Sequence, residues 1–268
     1  MTELSRSQRT ALLEAADLAA DAASVVTLSY FRSANLNTES KGEWFFDPVT
    51  RADREAELAI RAVLQKLRPD DGILGEEFGS IEGTSGLTWV LDPIDGTRGF
   101  ISGTPTWGTL ISLRDATGPI LGIIDQPYTG ERFVGGFGEA VLRRSGQTSP
   151  IGVRPAQGID KAILFTTFPE VGTQEEAKAF LNLSRQVRLT RYGMDCYAYA
   201  LLAAGNIDLV VEAGLHSYDV QAPIAIIEAA GGIVTDWQGR PAYEGGRILA
   251  AASRELHQAA LEFLQVPF

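Results

Sequence analysis

The amino-acid sequence, 268 residues long, predicts an α+β half followed by an α/β half. Three observations carry this prediction. Apolar residues recur at helical spacing in the first third, short apolar runs divided by Gly and Pro fill the middle third, and strand-like and helix-like runs alternate in the last third. A stretch rich in Gly, Pro and Ser at residues 145–158 favours a boundary between halves 1–150 and 151–268 of one folded unit.

Two helices are expected in the first third. The first spans residues 7–31, and the second follows Thr50, which forms a capping pattern with Asp53 three residues later. The second helix ends near Leu67, before a Pro-Asp-Asp-Gly breaker. The side chains expected to face the core are Leu12, Leu13, Ala16, Ala19, Ala20, Ala23, Ala56, Ile60, Val63, Leu64 and Leu67.

The remaining elements are shorter. Strands are expected in the middle third at 73–75, 88–91, 108–113, 120–125, 131–136 and 140–143. In the last third, strands are expected at 162–166, 209–212, 232–235 and 248–251, and helices at 175–184, 195–204, 220–230 and 253–264.

Composition excludes several classes of function. The 34 acidic and 23 basic residues leave a net charge of −11, which argues against a nucleic-acid or anionic membrane surface. A single cysteine, Cys196, excludes internal disulfides and Cys-based zinc sites, and two histidines exclude a His-rich metal cluster. The polar N-terminus lacks a signal-peptide pattern, and no apolar run approaches the roughly 20 residues of a membrane span, so we expect a soluble cytoplasmic protein.

The segment Trp-Val-Leu-Asp-Pro-Ile-Asp-Gly-Thr at 89–97 has the strongest chemical pattern. An apolar strand runs into Asp92 and Asp95, and these carboxylates with the Ile94 carbonyl are ligands suited to a hard cation such as magnesium. Gly96 and Thr97 offer backbone N–H groups for an anion. A cation beside an anion nest indicates a phosphate ester, although an Asp-Pro turn followed by an Asp-Gly hairpin fits the segment equally well.

Three further acidic positions matter in combination. Glu76 follows an apolar run, Asp219 precedes a predicted helix, and Asp53 lies in a first helical turn. Alone, each is better explained as a solvated turn, an N-cap or a favourable charge on the helix dipole. Because the phosphate-loop, dinucleotide, zinc-protease and nucleophile-elbow motifs are absent, the four acidic sites together favour metal-assisted phosphate chemistry.

In order along nearly the whole chain, these segments resemble the inositol monophosphatase superfamily of magnesium-dependent, lithium-sensitive phosphatases. The stretches that carry the resemblance are Pro-Val-Thr-Arg-Ala-Asp at 48–53, Gly-Glu-Glu at 75–77, the segment 89–97, Tyr-Asp at 218–219 and Glu-Ala-Ala-Gly-Gly at 228–232. The resemblance implies a layered αβαβα sandwich and a homodimer. A haloacid-dehalogenase phosphatase would instead need Asp-x-Asp-x-Thr.

Within the superfamily, the histidinol-phosphate phosphatase branch is the most similar. The stretches that match it are 72–79, 95–103, 122–132, 192–200 and 218–222. Two positions depart from that branch. Residues 215–218 carry a His-x-aromatic-Asp arrangement more typical of inositol monophosphatases, and Gly99 replaces a larger residue such as Ala.

The resemblance also implies roles for individual residues. One magnesium is expected on Glu76, Asp92 and the Ile94 carbonyl, and a second on Asp92, Asp95 and Asp219, with a weaker third ion on Glu76. The backbone of Gly96 and Thr97 would bind the phosphate. Thr97 paired with Asp53 would orient and help deprotonate a metal-bound water for in-line attack. The residues expected to bind substrate are Asp95, Gly96, Thr97, Arg98, Arg191, Asp195, Glu212 and Asp219.

Several side chains keep two interpretations. Asp195 and Glu212 would face the leaving alcohol, which suits cationic histidinol but also the hydroxyls of inositol; Asp195 is equally an N-cap that Arg191 neutralises. Arg98 contacts phosphate or lies on the surface. His216 contacts the substrate or belongs to a polar loop, and His257 is expected at the surface. Cys196 is expected to be buried. Trp44–Phe46 lie in a loop that covers the site, or they belong to a dimer interface or to the core. Lys41 would approach the metal-site carboxylates, as a lysine does in many members of the superfamily.

Histidinol-phosphate phosphatase activity, a step of histidine synthesis, is therefore the leading expectation. The alternative is an inositol-1-phosphate or broad sugar-phosphate phosphatase, which His216 favours. A third, non-enzymatic possibility is a role with the transcription machinery, as in some bacterial relatives.

Overall fold

The structure is a computed structural model that describes residues 4–33, 38–40, 48–155 and 157–265. Its helices are α1 (Arg6–Tyr30), α2 (Arg51–Leu67), α3 (Thr97–Ser102), α4 (Gln174–Ser184), α5 (Cys196–Ala203), α6 (Ser217–Ala229) and α7 (Arg254–Phe263). The first strands are β1 (Thr38–Ser40), β2 (Pro48–Thr50), β3 (Gly72–Gly75), β4 (Gly79–Ile81), β5 (Thr88–Asp95), β6 (Gly108–Asp115), β7 (Gly118–Gln126) and β8 (Glu131–Gly136). The others are β9 (Glu139–Arg144), β10 (Gln147–Pro150), β11 (Ile163–Thr166), β12 (Leu189–Tyr192), β13 (Leu209–His216), β14 (Ile233–Thr235) and β15 (Gly245–Ala251).

Two large sheets organise these elements. The first has the strand order β10-β9-β8-β7-β6-β5-β3-β4 and is antiparallel except where β3 runs parallel to β5. The second has the order β12-β11-β13-β15-β14, and β11 runs parallel to both of its neighbours. Strands β1 and β2 form a separate antiparallel ribbon before α2.

Three helix layers alternate with the two sheets. Helices α1 and α2 cover one face of the first sheet, where Leu12 and Ile60 pack with Trp89 and Ile111. Helices α5 and α6 lie between the sheets, because their apolar side chains pack both with Leu110 of β6 and with residues of β13 and β15. Helices α4 and α7 cover the outer face of the second sheet. The architecture is therefore the layered αβαβα sandwich that the sequence resemblance implies.

Local sequence explains where the helices begin. The Thr50 and Asp53 side chains form the predicted capping box at the start of α2. The predicted alanine face of α1 is buried, which lets α1 pack closely against α2. Leu67, which was expected in the core, is instead 42% exposed because it is the last residue of α2 and lies beyond the sheet-facing turns.

The second correction concerns His257, which the sequence places at the surface. Its side chain is buried on α7, and a ring nitrogen lies 2.7 Å from the Thr235 hydroxyl. Burial lowers the pKa of His257, so the neutral ring is favoured. Lys41 and Trp44–Phe46, the loop with several possible roles, lie outside the described residues. None of the described helices is long and apolar enough to traverse a lipid bilayer.

Candidate active site

The carboxyl end of β5 carries the first group of acids. Strand β5 is mostly buried and lies between β3 and β6. It pairs regularly with β6 up to Asp92, and the register shifts between Asp92 and Asp95. Asp92 Oδ1 accepts a hydrogen bond from the Ile94 amide at 3.0 Å, so the Asp92 side chain closes a small turn over Pro93 at the end of β5. Gly96 then adopts a left-handed conformation (φ 81°), and α3 begins at Thr97 where a hairpin was the alternative expectation.

Asp219 joins these acids from the other half of the chain. It lies in the first turn of α6, and its Oδ2 accepts a hydrogen bond from the His216 amide at 2.6 Å. As a result, carboxylate oxygens of Asp92, Asp95 and Asp219 all lie within 4.8 Å of one another. Acids from two distant parts of the chain, residues 92–95 and residue 219, thus form one compact cluster.

Burial and mutual repulsion disfavour the ionised forms of this cluster. Burial, followed by the charges of Glu76 and Asp95, raises the pKa of Asp92 well above its usual range. Burial also raises the pKa of Asp95, with the charge of Asp195 as the next cause, and raises the pKa of Asp219 to about 6. A cation bound among these carboxylates would favour their ionised forms, and an all-oxygen donor set suits a hard divalent cation. The residues therefore fit the magnesium that the sequence resemblance implies.

Glu76 and Asp53 lie around this cluster. Glu76 follows β3, and its amide donates to the Leu91 carbonyl at 3.2 Å. Asp53 is buried, and burial raises its pKa to about 7 although Thr50 donates to it from both its amide, at 2.8 Å, and its hydroxyl, at 2.6 Å. The Thr97 hydroxyl donates to the Ile94 carbonyl at 3.1 Å. The pairing of Thr97 with Asp53 stays a prediction.

A cleft of about 450 Å³ opens above the cluster. The residues lining it that were expected in the site are Glu76, Asp95, Gly96, Thr97, Arg98, Asp195, Glu212, His216 and Asp219. Asp92 and Ile94 are buried below this surface. Arg191 is exposed on the edge strand β12 and is not among the lining residues, so the structure does not bring it to the cleft.

Asp195 lines the cleft just before α5 and is held in a strained backbone conformation (φ 47°, ψ −139°). It occupies the N-cap position of α5, but its side chain makes no capping hydrogen bond. Burial raises its pKa to about 6, whereas the charge of Arg98 lowers it. Arg98, which also stacks over the Phe168 ring at 4.8 Å, is therefore the cation that compensates Asp195.

Glu212 forms the wall of the cleft on β13. Its carboxylate accepts hydrogen bonds from the Thr166 hydroxyl at 3.1 Å, the Thr167 amide at 2.7 Å and the Thr167 hydroxyl at 2.9 Å. Burial nevertheless raises its pKa to about 7. His216 borders the same wall, with its ring stacked 5.1 Å from that of Tyr218.

Sequence reasoning missed two groups of residues. Glu57 accepts hydrogen bonds from the Glu77 amide at 2.8 Å and the Phe78 amide at 3.2 Å, and thereby supports the turn that carries Glu76. Thr167 and Tyr199 line the cleft, and the Thr166 hydroxyl donates to Glu212 from behind this lining as a residue that does not line it. A Glu on a helix and threonines at a strand end have no local pattern that distinguishes them from ordinary structural residues.

Known proteins are similar to this chain over most of its length. The model of the inositol monophosphatase family matches residues 8–265. A chloroplastic bifunctional phosphatase of Arabidopsis thaliana is 39% identical over 98% of this chain and 78% of that protein. A histidinol-phosphatase of Streptomyces coelicolor is 34% identical over 94% of this chain and 96% of that protein.

Other similar proteins carry a different name. An inositol-1-monophosphatase of Caulobacter vibrioides is 34% identical over 82% of this chain and 88% of that protein. Among solved structures, an inositol monophosphatase from Zymomonas mobilis superposes with a TM-score of 0.85 at 39% identity, covering 98% of this chain and all of the other (100%).

Proposed function

Because this chain belongs to the inositol monophosphatase family of phosphatases, we propose that it is a magnesium-dependent histidinol-phosphatase. The observation that carries this proposal is one cleft that brings two groups of acids together. Asp92, Asp95 and Asp219 form a cluster suited to cations. Asp195 and Glu212 line the same cleft, and we assign to them the space that a leaving alcohol would occupy.

The cation ligands in this proposal are Glu76, Asp92, the Ile94 carbonyl, Asp95 and Asp219. Magnesium bound there supplies positive charge that the phosphate needs in this acidic cleft and lowers the pKa of water. The backbone N–H groups of Gly96 and Thr97 bind and orient the phosphate oxygens. Arg98 adds a positive charge at the mouth of the cleft.

Asp53 and Thr97 handle the proton in this mechanism. Asp53, whose pKa burial raises to about 7, takes up the proton of the attacking water by way of the Thr97 hydroxyl. Water adds to phosphorus in line with the ester oxygen, and the P–O ester bond breaks. The departing alkoxide takes a proton from solvent water and leaves as the alcohol, and Asp53 then returns its proton to solvent. Glu76 and Asp53 interact electrostatically, so the ligand and the proton acceptor belong to one charge network.

Two acids around the leaving group support histidinol. A protonated amine donates charge-assisted hydrogen bonds to carboxylates, and Asp195 and Glu212 are both available as acceptors. The Streptomyces relative at 34% identity is itself named a histidinol-phosphatase. The homodimeric state, the cytoplasmic location and the lithium sensitivity in this proposal rest on the sequence and its family resemblance.

Inositol 1-phosphate is the second candidate substrate. His216 lines the cleft beside Glu212 and offers a ring nitrogen to a sugar-like hydroxyl. The Caulobacter relative carries the matching name.

The test is phosphate release with magnesium from a panel of esters: histidinol phosphate, inositol 1-phosphate, fructose 1,6-bisphosphate and a 3'-phosphonucleotide. We expect histidinol phosphate to have the largest kcat/KM by orders of magnitude, and Asp92→Asn to lack activity on all of them. An equal or larger kcat/KM for inositol 1-phosphate overturns the substrate assignment while leaving the phosphatase assignment intact.

A further inference from the structure

A buried hydroxyl without a partner lies in the wall of the cleft. Tyr199 is on α5 and is only 3% exposed, and its hydroxyl has no hydrogen-bond partner among the described residues. Five buried side-chain atoms of the described residues share this lack of a partner, and of the residues that own them only Tyr199 lines the cleft. Buried hydroxyls are nearly always paired in folded proteins. The Tyr199 phenol interacts electrostatically with Glu212, Asp95 and Asp219, which also line the cleft, so its unpaired hydroxyl is available to a ligand held beside these acids.

The surroundings of this hydroxyl define the chemistry of its ligand. Burial, and then the charge of Glu212, raise the pKa of Tyr199 well above 10, so the phenol keeps its proton as a donor. Glu212 on the adjacent wall is fixed by three hydrogen bonds from Thr166 and Thr167. A group placed between them would accept from Tyr199 and donate to Glu212.

We propose that the Tyr199 hydroxyl is a specificity-determining hydrogen-bond donor that recognises, together with Glu212, a neutral donor–acceptor group on the leaving alcohol. A ring hydroxyl and a neutral imidazole both have this chemistry. A bare ammonium group lacks an acceptor and would leave the tyrosine proton unpaired. This assignment rests on the proposed function, because it places the leaving group of the phosphate ester in this cleft.

The same helix provides a matched control. The Tyr197 hydroxyl donates to Glu131 at 2.7 Å, and neither residue lines the cleft. Tyr199→Phe and Tyr197→Phe therefore each remove one phenol oxygen from α5, but only the first removes it from the cleft. Because Tyr199→Phe deletes an unpaired hydroxyl, its thermal midpoint is expected to equal or exceed that of the wild type, whereas Tyr197→Phe loses a bond and melts earlier.

The experiment measures kcat/KM with magnesium for histidinol phosphate, inositol 1-phosphate and phenyl phosphate. Apart from its ester oxygen, the phenol that leaves phenyl phosphate has no hydrogen-bond donor or acceptor. In the Tyr199→Phe variant, kcat/KM for one of the two polar esters is expected to fall about tenfold relative to kcat/KM for phenyl phosphate. Loss on histidinol phosphate identifies the imidazole as the group, and loss on inositol 1-phosphate identifies a ring hydroxyl. Tyr197→Phe keeps the wild-type ratios.

Two results overturn the assignment while the enzyme remains active. One is a Tyr199→Phe variant with wild-type ratios for all three esters. The other is a thermal midpoint lowered as far as that of Tyr197→Phe, because the hydroxyl would then be bonded within the folded protein. If the wild type releases no phosphate from any ester, the proposed function fails and the Tyr199 assignment fails with it.

Discussion

The Asp95 carboxylate accepts a hydrogen bond from the Cys196 amide at 2.6 Å, although 101 residues separate the two. Asp95 ends β5 in the first sheet, and Cys196 begins α5 in the central helix layer. The preceding residue, Asp195, adopts a positive φ of 47° that residues other than glycine rarely adopt. One acid of the Asp92, Asp95 and Asp219 cluster and helix α5, which lines the cleft, are therefore joined directly.

This bond predicts different outcomes for two substitutions at one position. Asp95→Asn keeps a carbonyl oxygen for the Cys196 amide and removes one repelling charge, so the metal-free variant should melt at or above the wild-type temperature. Asp95→Ala leaves that amide without its acceptor and should lose about 1–3 kcal/mol. Both should lose phosphatase activity, which thermal melts in chelator and phosphate release with magnesium will measure. Wild-type turnover by Asp95→Asn would contradict the ligand role.

The raised pKa values predict how stability depends on pH. The folded pKa values of Asp53, about 7, and Asp219, about 6, exceed those of an unfolded chain, near 4. The folded protein therefore binds more protons, and the metal-free protein should lose stability as pH rises from about 4 to 7. Each unit of difference corresponds to roughly 1.4 kcal/mol at most. Magnesium should offset this loss.

Denaturant unfolding in chelator at pH 5 and 7.5, repeated with magnesium, measures this effect. His257 acts in the opposite direction, because its lowered pKa removes stability as pH falls below about 6.5. The comparison of wild type with Asp219→Asn isolates the acidic cluster, since both proteins contain His257. An identical pH dependence of the two proteins in chelator would rule out this account.

Glu57 is predicted to position Glu76, a proposed magnesium ligand, through the turn that follows β3. It is fully buried, with its Oε1 2.7 Å from Arg61 Nε, and a Cβ atom on Gly75 would fall only 2.0 Å from the same oxygen. Glu57→Ala should destabilise the fold by about 3–5 kcal/mol, because it leaves Arg61 buried without its partner. It should also weaken magnesium binding about 10- to 100-fold by releasing the turn that carries Glu76.

Calorimetric magnesium titration and chemical unfolding check both parts of this prediction. Glu55→Ala on the same helix is the control. The Glu55 carboxylate pairs with Arg51 and accepts the Tyr30 hydroxyl at 2.9 Å, so the substitution should cost less stability than Glu57→Ala and leave the magnesium affinity unchanged. A folded Glu57→Ala variant with wild-type magnesium affinity would show that Glu76 is held independently of Glu57.

Glu212→Gln should change substrate selectivity. The glutamine keeps its shape and can still accept the Thr167 amide, but it loses the charge that favours a cationic leaving group. We expect kcat/KM for histidinol phosphate to fall about tenfold or more, and that for inositol 1-phosphate to fall less. Steady-state kinetics on both esters will test this, and equal losses would argue against selection of a cationic leaving group by the Glu212 charge.

Sequence alone predicts most of the fold, because local patterns and burial agree there. The capping box at Thr50, the alanine face of α1 and strand β8 at residues 131–136 all match expectation. The exposed edge strands β4 and β10 were missed because solvated residues carry no alternating pattern. His257 was misplaced because Thr235, the partner that makes its burial tolerable, is distant in sequence.

In the candidate site too, residues within short motifs are predictable from the sequence, whereas residues that depend on distant partners are not. The acids of the Asp-Pro-Ile-Asp segment and Asp219 could be anticipated to converge because short motifs carry them, and the structure brings them within 4.8 Å. Tyr199 belongs to the largely buried, apolar helix α5 and Glu57 to the amphipathic helix α2. Only the tertiary packing reveals an unpaired hydroxyl or a buried carboxylate beneath a turn. Arg191 illustrates the reverse, since its family position suggested the cleft but β12 leaves it exposed at a sheet edge.

The cluster of Asp92, Asp95 and Asp219 is proposed to support phosphate release by binding divalent cations. The most direct measurement is phosphate release from histidinol phosphate by one preparation in chelator and again after magnesium is restored, with Asp92→Asn alongside. We predict no turnover in chelator, full recovery with magnesium in the wild type, and none in Asp92→Asn. Appreciable turnover by the fully chelated wild type would contradict the claim.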